Sequence, residues 1–416
     1  MRDTSALAGS YLWPRWVFLR ALGLIFLSAF YSLAFQIHGL IGERGILPAR
    51  DYLQQVHTVL GGARQFWYAP TVLWADAGDM ALALLIAAGV VASALLTVNV
   101  WPRMSVALCI VLFLSCIAVL QDFSSYQSDG MLLEAGFLSI FFAPRGFRPR
   151  LGEESPPSLA SLFMLRWEWF RIYFESGIVK LASGDPHWRD LTAMDEYYQN
   201  GPLPTWIGWY VQHLPHWYHA GTVVLTLVIE LAIVWAVFLP RPFRLACAAI
   251  VTALQIGIIA TANYAFLNYL VLALGVLLLD DAIFARWRLP MRAVAGEPAP
   301  AQAIIIGRRA TIARRLELGV LAFLFYTTIV AFVDRLSTSV LSAPARWLAP
   351  FRIANAYGLF AVMTEARYEI EFQGSRDGTT WITYPGWCWR SGVSSKAVRA
   401  CFVSSGATRS TASRRR

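Results

Sequence analysis

Ser176-Gly-Ile-Val-Lys-Leu-Ala-Ser-Gly-Asp-Pro-His-Trp-Arg-Asp-Leu-Thr192 places a lysine at the end of an apolar stretch and follows it with a dense polar and aromatic loop. The apolar stretch, 161–182, already carries Glu168, Arg171 and Glu175. Charge in a segment long enough to cross a bilayer is costly, so it marks a packing or functional site. Reading outward, 57% of the 416 residues are hydrophobic and only 15% are charged. A soluble domain carries about 25% charged residues. Here the apolar excess comes in repeated runs of spanning length, which reads as an all-α polytopic membrane protein.

Nine spans are expected, near 15–37, 80–100, 103–121, 128–143, 161–182, 217–239, 244–262, 265–282 and 314–341. The fourth is short and interrupted by Asp129 and Glu134. Segment 51–75 is aromatic and mixed, and is expected to lie at the interface or re-enter. The 17 Trp and 16 Tyr fall largely near the ends of the runs, as interfacial anchors do. The bilayer is therefore the first partner.

Nearly all the positive charge is arginine, in short loops between runs. Arg2, Arg15, Arg103, Arg145, Arg148, Arg150, Arg241 and Arg244, and the run from Arg286 to Arg315, fall on one side if nine spans alternate. The positive-inside rule makes that side cytoplasmic, and with it the N-terminus. Loops 38–79 and 183–216 and the C-terminus then lie outside. The same distribution argues against nucleic acid as a partner, because arginines in short loops between apolar runs orient a membrane protein instead.

The expected domains are a membrane body over 1–344, with a cytoplasmic linker at 283–311, and a partial extracytoplasmic β-region over 345–384. Arg367 to Tyr384 alternates polar and apolar residues around Ser375-Arg-Asp-Gly378, a hairpin pattern. Residues 385–416 lose that order. Either they pack on the membrane body, or the chain is truncated or frameshifted there.

Glu168, Arg171 and Glu175, at i, i+3 and i+7, share one helix face and must pair inward. They read as an ion-paired packing face or as a polar chamber. Lys180 lies off that face. It reads as a lysine snorkelling to the interface, or as a general base or carboxylate clamp. Asp129, Glu134, Asp185, Trp188, Arg189 and Asn263 complete the candidate cluster, with Glu230 and Gln255 as further polar groups in spans. His213, His216 and His219 recur every three residues. No matching carboxylate or cysteine pattern supports a metal site there, and none is assigned. Three of the five cysteines, Cys109, Cys116 and Cys247, sit inside apolar runs and read as packing residues. No nucleophile elbow, phosphate loop or zinc-protease motif is present, and no cofactor is called for.

The chain resembles the lipase maturation factor family. The resemblance rests on Ile37-His-Gly-Leu-Ile-Gly-Glu-Arg-Gly-Ile-Leu-Pro48, Gln127–Phe142, Ser176–Pro204, Thr261-Ala-Asn-Tyr-Ala-Phe-Leu-Asn268, Asn355-Ala-Tyr-Gly-Leu-Phe-Ala-Val-Met-Thr364 and the turn Gly374-Ser-Arg-Asp-Gly378. It covers about 11–384, with Ala262 and Leu267 departing from the family pattern. It implies a non-enzymatic membrane factor that helps secreted proteins, lipases among them, to fold or be exported. The Arg-rich, Lys-poor composition and short loops point to a bacterial cytoplasmic membrane. A more distant similarity, on Ser176–Leu181 and Trp188, is to the membrane domain of vitamin K-dependent carboxylases. It implies a membrane enzyme with Lys180 as base on a lipid-soluble substrate.

Overall fold

The computed structural model describes residues 10–124, 126–151, 156–201, 205–286, 308–336, 342–365, 370–375, 379–383 and 398–403. Along them run α1 (Leu12–Ile41), α2 (Ala49–Leu60), α3 (Gly62–Tyr68), α4 (Asp79–Thr97), α5 (Pro102–Ile117), α6 (Gln127–Phe142), α7 (Leu159–Ala182) and α8 (Pro186–Arg189). There follow α9 (Ala193–Asn200), α10 (Trp206–Gln212), α11 (His216–Leu231), α12 (Arg241–Thr261), α13 (Leu267–Gly275), α14 (Asp281–Arg286), α15 (Arg308–Leu336) and α16 (Ala343–Leu348). By contact the chain forms two units. One comprises 1–185, 224–260 and 264–361, the other 186–223, 261–263 and 362–416.

Five helices are long and apolar enough to cross a membrane: α1, α4, α11 with its 3-10 continuation to Phe238, α12, and α15 from Thr311. The other four expected spans are helices that fall short for identifiable reasons. α5 and α13 are apolar but short. α6 has 16 residues and carries Asp129 and Glu134. α7 has 24 residues but carries Arg166, Glu168, Arg171, Glu175 and Lys180. Segment 51–75 is α2, α3 and a 3-10 turn at Val72–Trp74.

In the larger unit α1 lies along α4, α4 on α5, α5 on α6 and α6 on α7. α7 also meets α13 and α15, and α1 meets α13, so the ring of helices closes. α1 meets α5 through aromatic rings. Phe26 and Phe30 of α1 each set a ring edge-on to Phe113 of α5, at 5.9 and 5.8 Å between centroids.

The start of α1 is also tied to the start of α14 by polar bonds. Tyr11, which precedes α1, gives no side-chain cap. Asp281 supplies it from a distant part of the sequence. Its carboxylate accepts from the N–H groups of Leu12 at 3.0 Å and Trp13 at 2.7 Å, and from Ser10 Oγ at 2.7 Å. A carboxylate at a helix N-terminus satisfies orphan donors and suits the macrodipole. Beside it, Arg166 of α7 and Arg244 of α12 donate to the carbonyls of Leu277 and Leu278, just past the C-terminal end of α13. Arg241 pairs with Asp280 at 2.6 Å. These arginines therefore finish helix ends.

The smaller unit holds α8 to α10 and the start of α11. Asp195 ties it together: the Nδ1 atoms of His216 and His219 lie 2.8 and 2.6 Å from its two carboxylate oxygens, and Gln212 donates to its carbonyl at 2.7 Å. Strand Ile370–Ser375 pairs antiparallel with Ile382–Thr383, Gln373 opposite Thr383, and parallel with Val398–Val403. Most of the linker at 283–311, residues 202–204, the hairpin turn at 376–378 and most of the tail lie outside the described residues.

Replacing Asp281 by Ala removes a buried cap. It is expected to lower stability by about 1–2 kcal/mol, read as a fall of several degrees in the melting temperature of the detergent-purified chain. An unchanged melting temperature would show that α1 does not depend on this cap.

Candidate functional site

α7 is started by Ser158, whose Oγ accepts from the Ser161 N–H at 3.4 Å. It ends at Ser183, followed by Gly184 at φ +81. Between these ends Glu168, Arg171, Glu175 and Lys180 are all at most 3% exposed. They serve two separate centres.

The first centre is Arg171. One terminal nitrogen of its guanidinium donates to Glu134 Oε1 of α6. The other donates to the Asn355 carbonyl at 2.6 Å and lies 3.9 Å from Glu175 Oε1. The cation also sits over the Tyr357 ring, 5.0 Å from its centroid. Glu134 Oε2 accepts three further bonds: from the Asn355 backbone at 3.1 Å, Asn355 Nδ2 at 3.0 Å and Tyr357 Oη at 2.8 Å. Glu175 Oε2 accepts from the Tyr357 N–H at 2.7 Å. Gln127 Oε1 accepts from the Gly358 N–H and Ser176 Oγ from the Leu359 N–H, each at 3.0 Å. Side chains of α6 and α7 thus take up four backbone N–H groups between Asn355 and Leu359. An irregular segment is thereby fixed against two helices, its backbone polarity satisfied where no ladder exists.

Gly130 belongs to this arrangement. A Cβ there would come within 2.9 Å of Asn355 Oδ1. Without one, Asn355 Nδ2 reaches the Gly130 carbonyl at 3.0 Å. Glu168 is fully buried, and neither carboxylate oxygen makes a hydrogen bond. Asp129 is 9% exposed, in the first turn of α6.

The second centre is Lys180. It does not snorkel. It is 1% exposed, and its Nζ donates to both oxygens of Glu230 in α11, each at 2.8 Å. α11 comes this close because Gly177 has no side chain: a Cβ there would lie 2.8 Å from Leu231 and 3.0 Å from Glu230 Cβ. Aromatic rings flank the crossing, Phe170 meeting Trp235 at 4.8 Å and Phe174 meeting Trp235 at 5.1 Å. The ammonium is thus held by both oxygens of a carboxylate, as one half of a buried ion pair.

The structure therefore gathers Asp129, Glu134, Glu168, Arg171, Glu175 and Lys180 along α6 and α7. Asp185 is buried just past α7. Trp188, Arg189 and Asn263 belong to the smaller unit, Trp188 buried and the other two exposed. Sequence reading had Glu230 only as a polar group in a span. It missed Gln127, Asn355 and Tyr357 as site residues, although the stretches containing them stood out as motifs. His216 and His219 share a carboxylate, and the described residues hold no group of three or more His, Cys, Asp or Glu placed to bind a metal.

A double-mutant cycle tests the second centre. K180M or E230M alone strands a buried charge and is expected to cost about 3–5 kcal/mol, seen as loss of folded protein in the membrane fraction. K180M/E230M removes both charges and is expected to recover most of that loss. Additive losses would show that the two side chains do not act as a pair.

Residues 13–286 match the family model described as the lipase maturation factor transmembrane domain. Lipase maturation factor 2 of Gallus gallus is 40% identical over 283 residues, covering 66% of this chain and 39% of the relative. Lipase maturation factor 1 of Bos taurus is 32% identical over 395 residues, covering 88% and 68%. Lipase maturation factor 2 of Homo sapiens is 38% identical over 293 residues, covering 66% and 41%. The aligned part is thus about two fifths of the type 2 relatives and about two thirds of the bovine type 1 relative. No solved structure matches the chain.

Proposed function

Since this chain belongs to the lipase maturation factor family, we propose that it is a multi-pass membrane scaffold that assists the folding or export of secreted lipases. The observation that carries this reading is how the charges of α7 are used. Arg171, Glu175 and Lys180 are bonded to the chain's own Glu134, Asn355, Tyr357 and Glu230. They hold helices and the 355–359 segment together, and such an arrangement suits a body that presents surfaces to a client. In this reading the client meets the loop 183–216 and the β-region after 345.

The topology that goes with it has all nine helical segments crossing, the N-terminus cytoplasmic and the C-terminal β-region outside, in a bacterial cytoplasmic membrane. α7 crosses despite its charges because Arg171, Glu175 and Lys180 are ion-paired within the chain. Its 24 residues give about 36 Å at 1.5 Å per residue, enough for a hydrocarbon core of about 30 Å.

Co-expression with a secreted lipase tests the function. The chain is expected to raise active secreted lipase several-fold per unit of lipase protein, and R171M, which leaves Glu134 and Glu175 without their cation, to abolish the gain along with the folded protein. Unchanged lipase specific activity with the intact chain present would contradict the proposal. Thiol labelling of single cysteines tests the topology. A cysteine at position 64 or 189 is expected to react with an impermeant reagent from outside, and one at position 145 only after permeabilisation.

A further inference from the structure

At the end of the bundle where α1 and α5 begin, the α4–α5 connection is unusually constrained. Asn99 and Trp101 both have positive φ, 65 and 42, a region that non-glycine residues enter only when their surroundings hold them there. What holds them is the segment after α6. Asn99 Nδ2 donates to the Pro149 carbonyl at 2.6 Å, the Trp101 N–H to the Phe147 carbonyl at 2.7 Å, and Arg103 Nη2 to the Ala143 carbonyl at 2.9 Å. Three bonds thus fix a short, arginine-rich segment against the start of α5.

The result is a hollow of about 560 Å³ lined by Arg15, Arg103, Arg145, Arg148 and Arg150, with Glu317 as the one lining carboxylate among the described residues. Nε of Arg103 is buried and makes no hydrogen bond. The volume suits a small ligand. The forked donors of Arg103, Arg145 and Arg148 match the oxygens of a phosphate. Arg15 lies in the first turn of α1 and Arg103 in the first turn of α5, so the hollow lies at the ends of two apolar helices. Basic pockets between spans at this level suit anionic headgroups.

We propose that this hollow is a binding site for the phosphate of an anionic phospholipid. The site serves the membrane body itself and does not depend on the lipase reading. Arg103 reaches the phosphate from within, and Arg145 and Arg148, both exposed, close over it from the 143–151 segment. A bound lipid locks that segment, and through it the strained α4–α5 turn.

Native mass spectrometry of the detergent-purified full chain, titrated with dioleoylphosphatidylglycerol or dioleoylphosphatidylcholine, tests the proposal. The glycerol lipid is expected to bind at least tenfold more tightly than the choline lipid. R145Q/R148Q is expected to cut that preference at least fivefold while the melting temperature stays within about 2 °C of the parent, and R145K/R148K to keep most of it. Equal affinity for the two lipids, or a preference untouched in R145Q/R148Q, would overturn the site. Titration with inorganic phosphate separates the source. Displacement of the lipid only at millimolar phosphate supports a headgroup site, whereas phosphate binding as tight as the lipid's overturns the lipid assignment.

Discussion

The bonds that Arg171 makes to Glu134 and Asn355 are what the rest of this structure depends on. α7 carries five charged side chains in 24 residues. Each would cost about 2.5–3.5 kcal/mol at the centre of a membrane helix, far more than the helix gains from its apolar face if they stay unpaired. The chain meets this constraint by bringing partners from elsewhere in the sequence. Glu134 comes from α6, Glu230 from α11, and backbone groups from 355–359 and from Leu277. The same bonds choose the neighbours of α7. A helix that had to hide its charges has become the element against which others are fixed.

The two centres use different devices. Around Arg171 a branched network accepts and donates to backbone, so that the position of an irregular segment is determined by side chains. Around Lys180 a simple pair joins two helices, and Gly177 sets how closely they approach. The first fixes a loop and the second fixes a crossing. Together they explain why a membrane body would retain several charges without assigning chemistry to any of them. Glu168 stands apart: it is buried within the same helix face, and its oxygens make no hydrogen bond.

Much of this was legible from composition and period. The apolar runs located the helices, and the i, i+3, i+7 spacing put Glu168, Arg171 and Glu175 on one inward face. What sequence could not give was pairing. Internal neutralisation among those three was the natural expectation, yet Arg171 binds Glu134, 37 residues away, more closely than Glu175 of its own helix. Lys180 near a helix end resembled a snorkelling lysine because its partner lies 50 residues on. Asn355 and Tyr357 stood only within a family motif, since their role depends on where their backbone docks. Span count was hard for a related reason. Apolar runs alone made spans of α6, which has 16 residues, and of α7, which carries five charges, and neither is among the five helices long and apolar enough to cross.

The central claim is that buried charge in α6 and α7 fixes the 355–359 segment to the membrane body. Hydrogen–deuterium exchange of the intact chain, read by mass spectrometry over peptides covering 352–361, measures this directly. The account predicts slow exchange at Asn355, Tyr357, Gly358 and Leu359, comparable to the flanking helices, and fast exchange at the same amides in E134Q. Fast exchange of these amides in the unaltered chain, with α6 and α7 still protected, would contradict it.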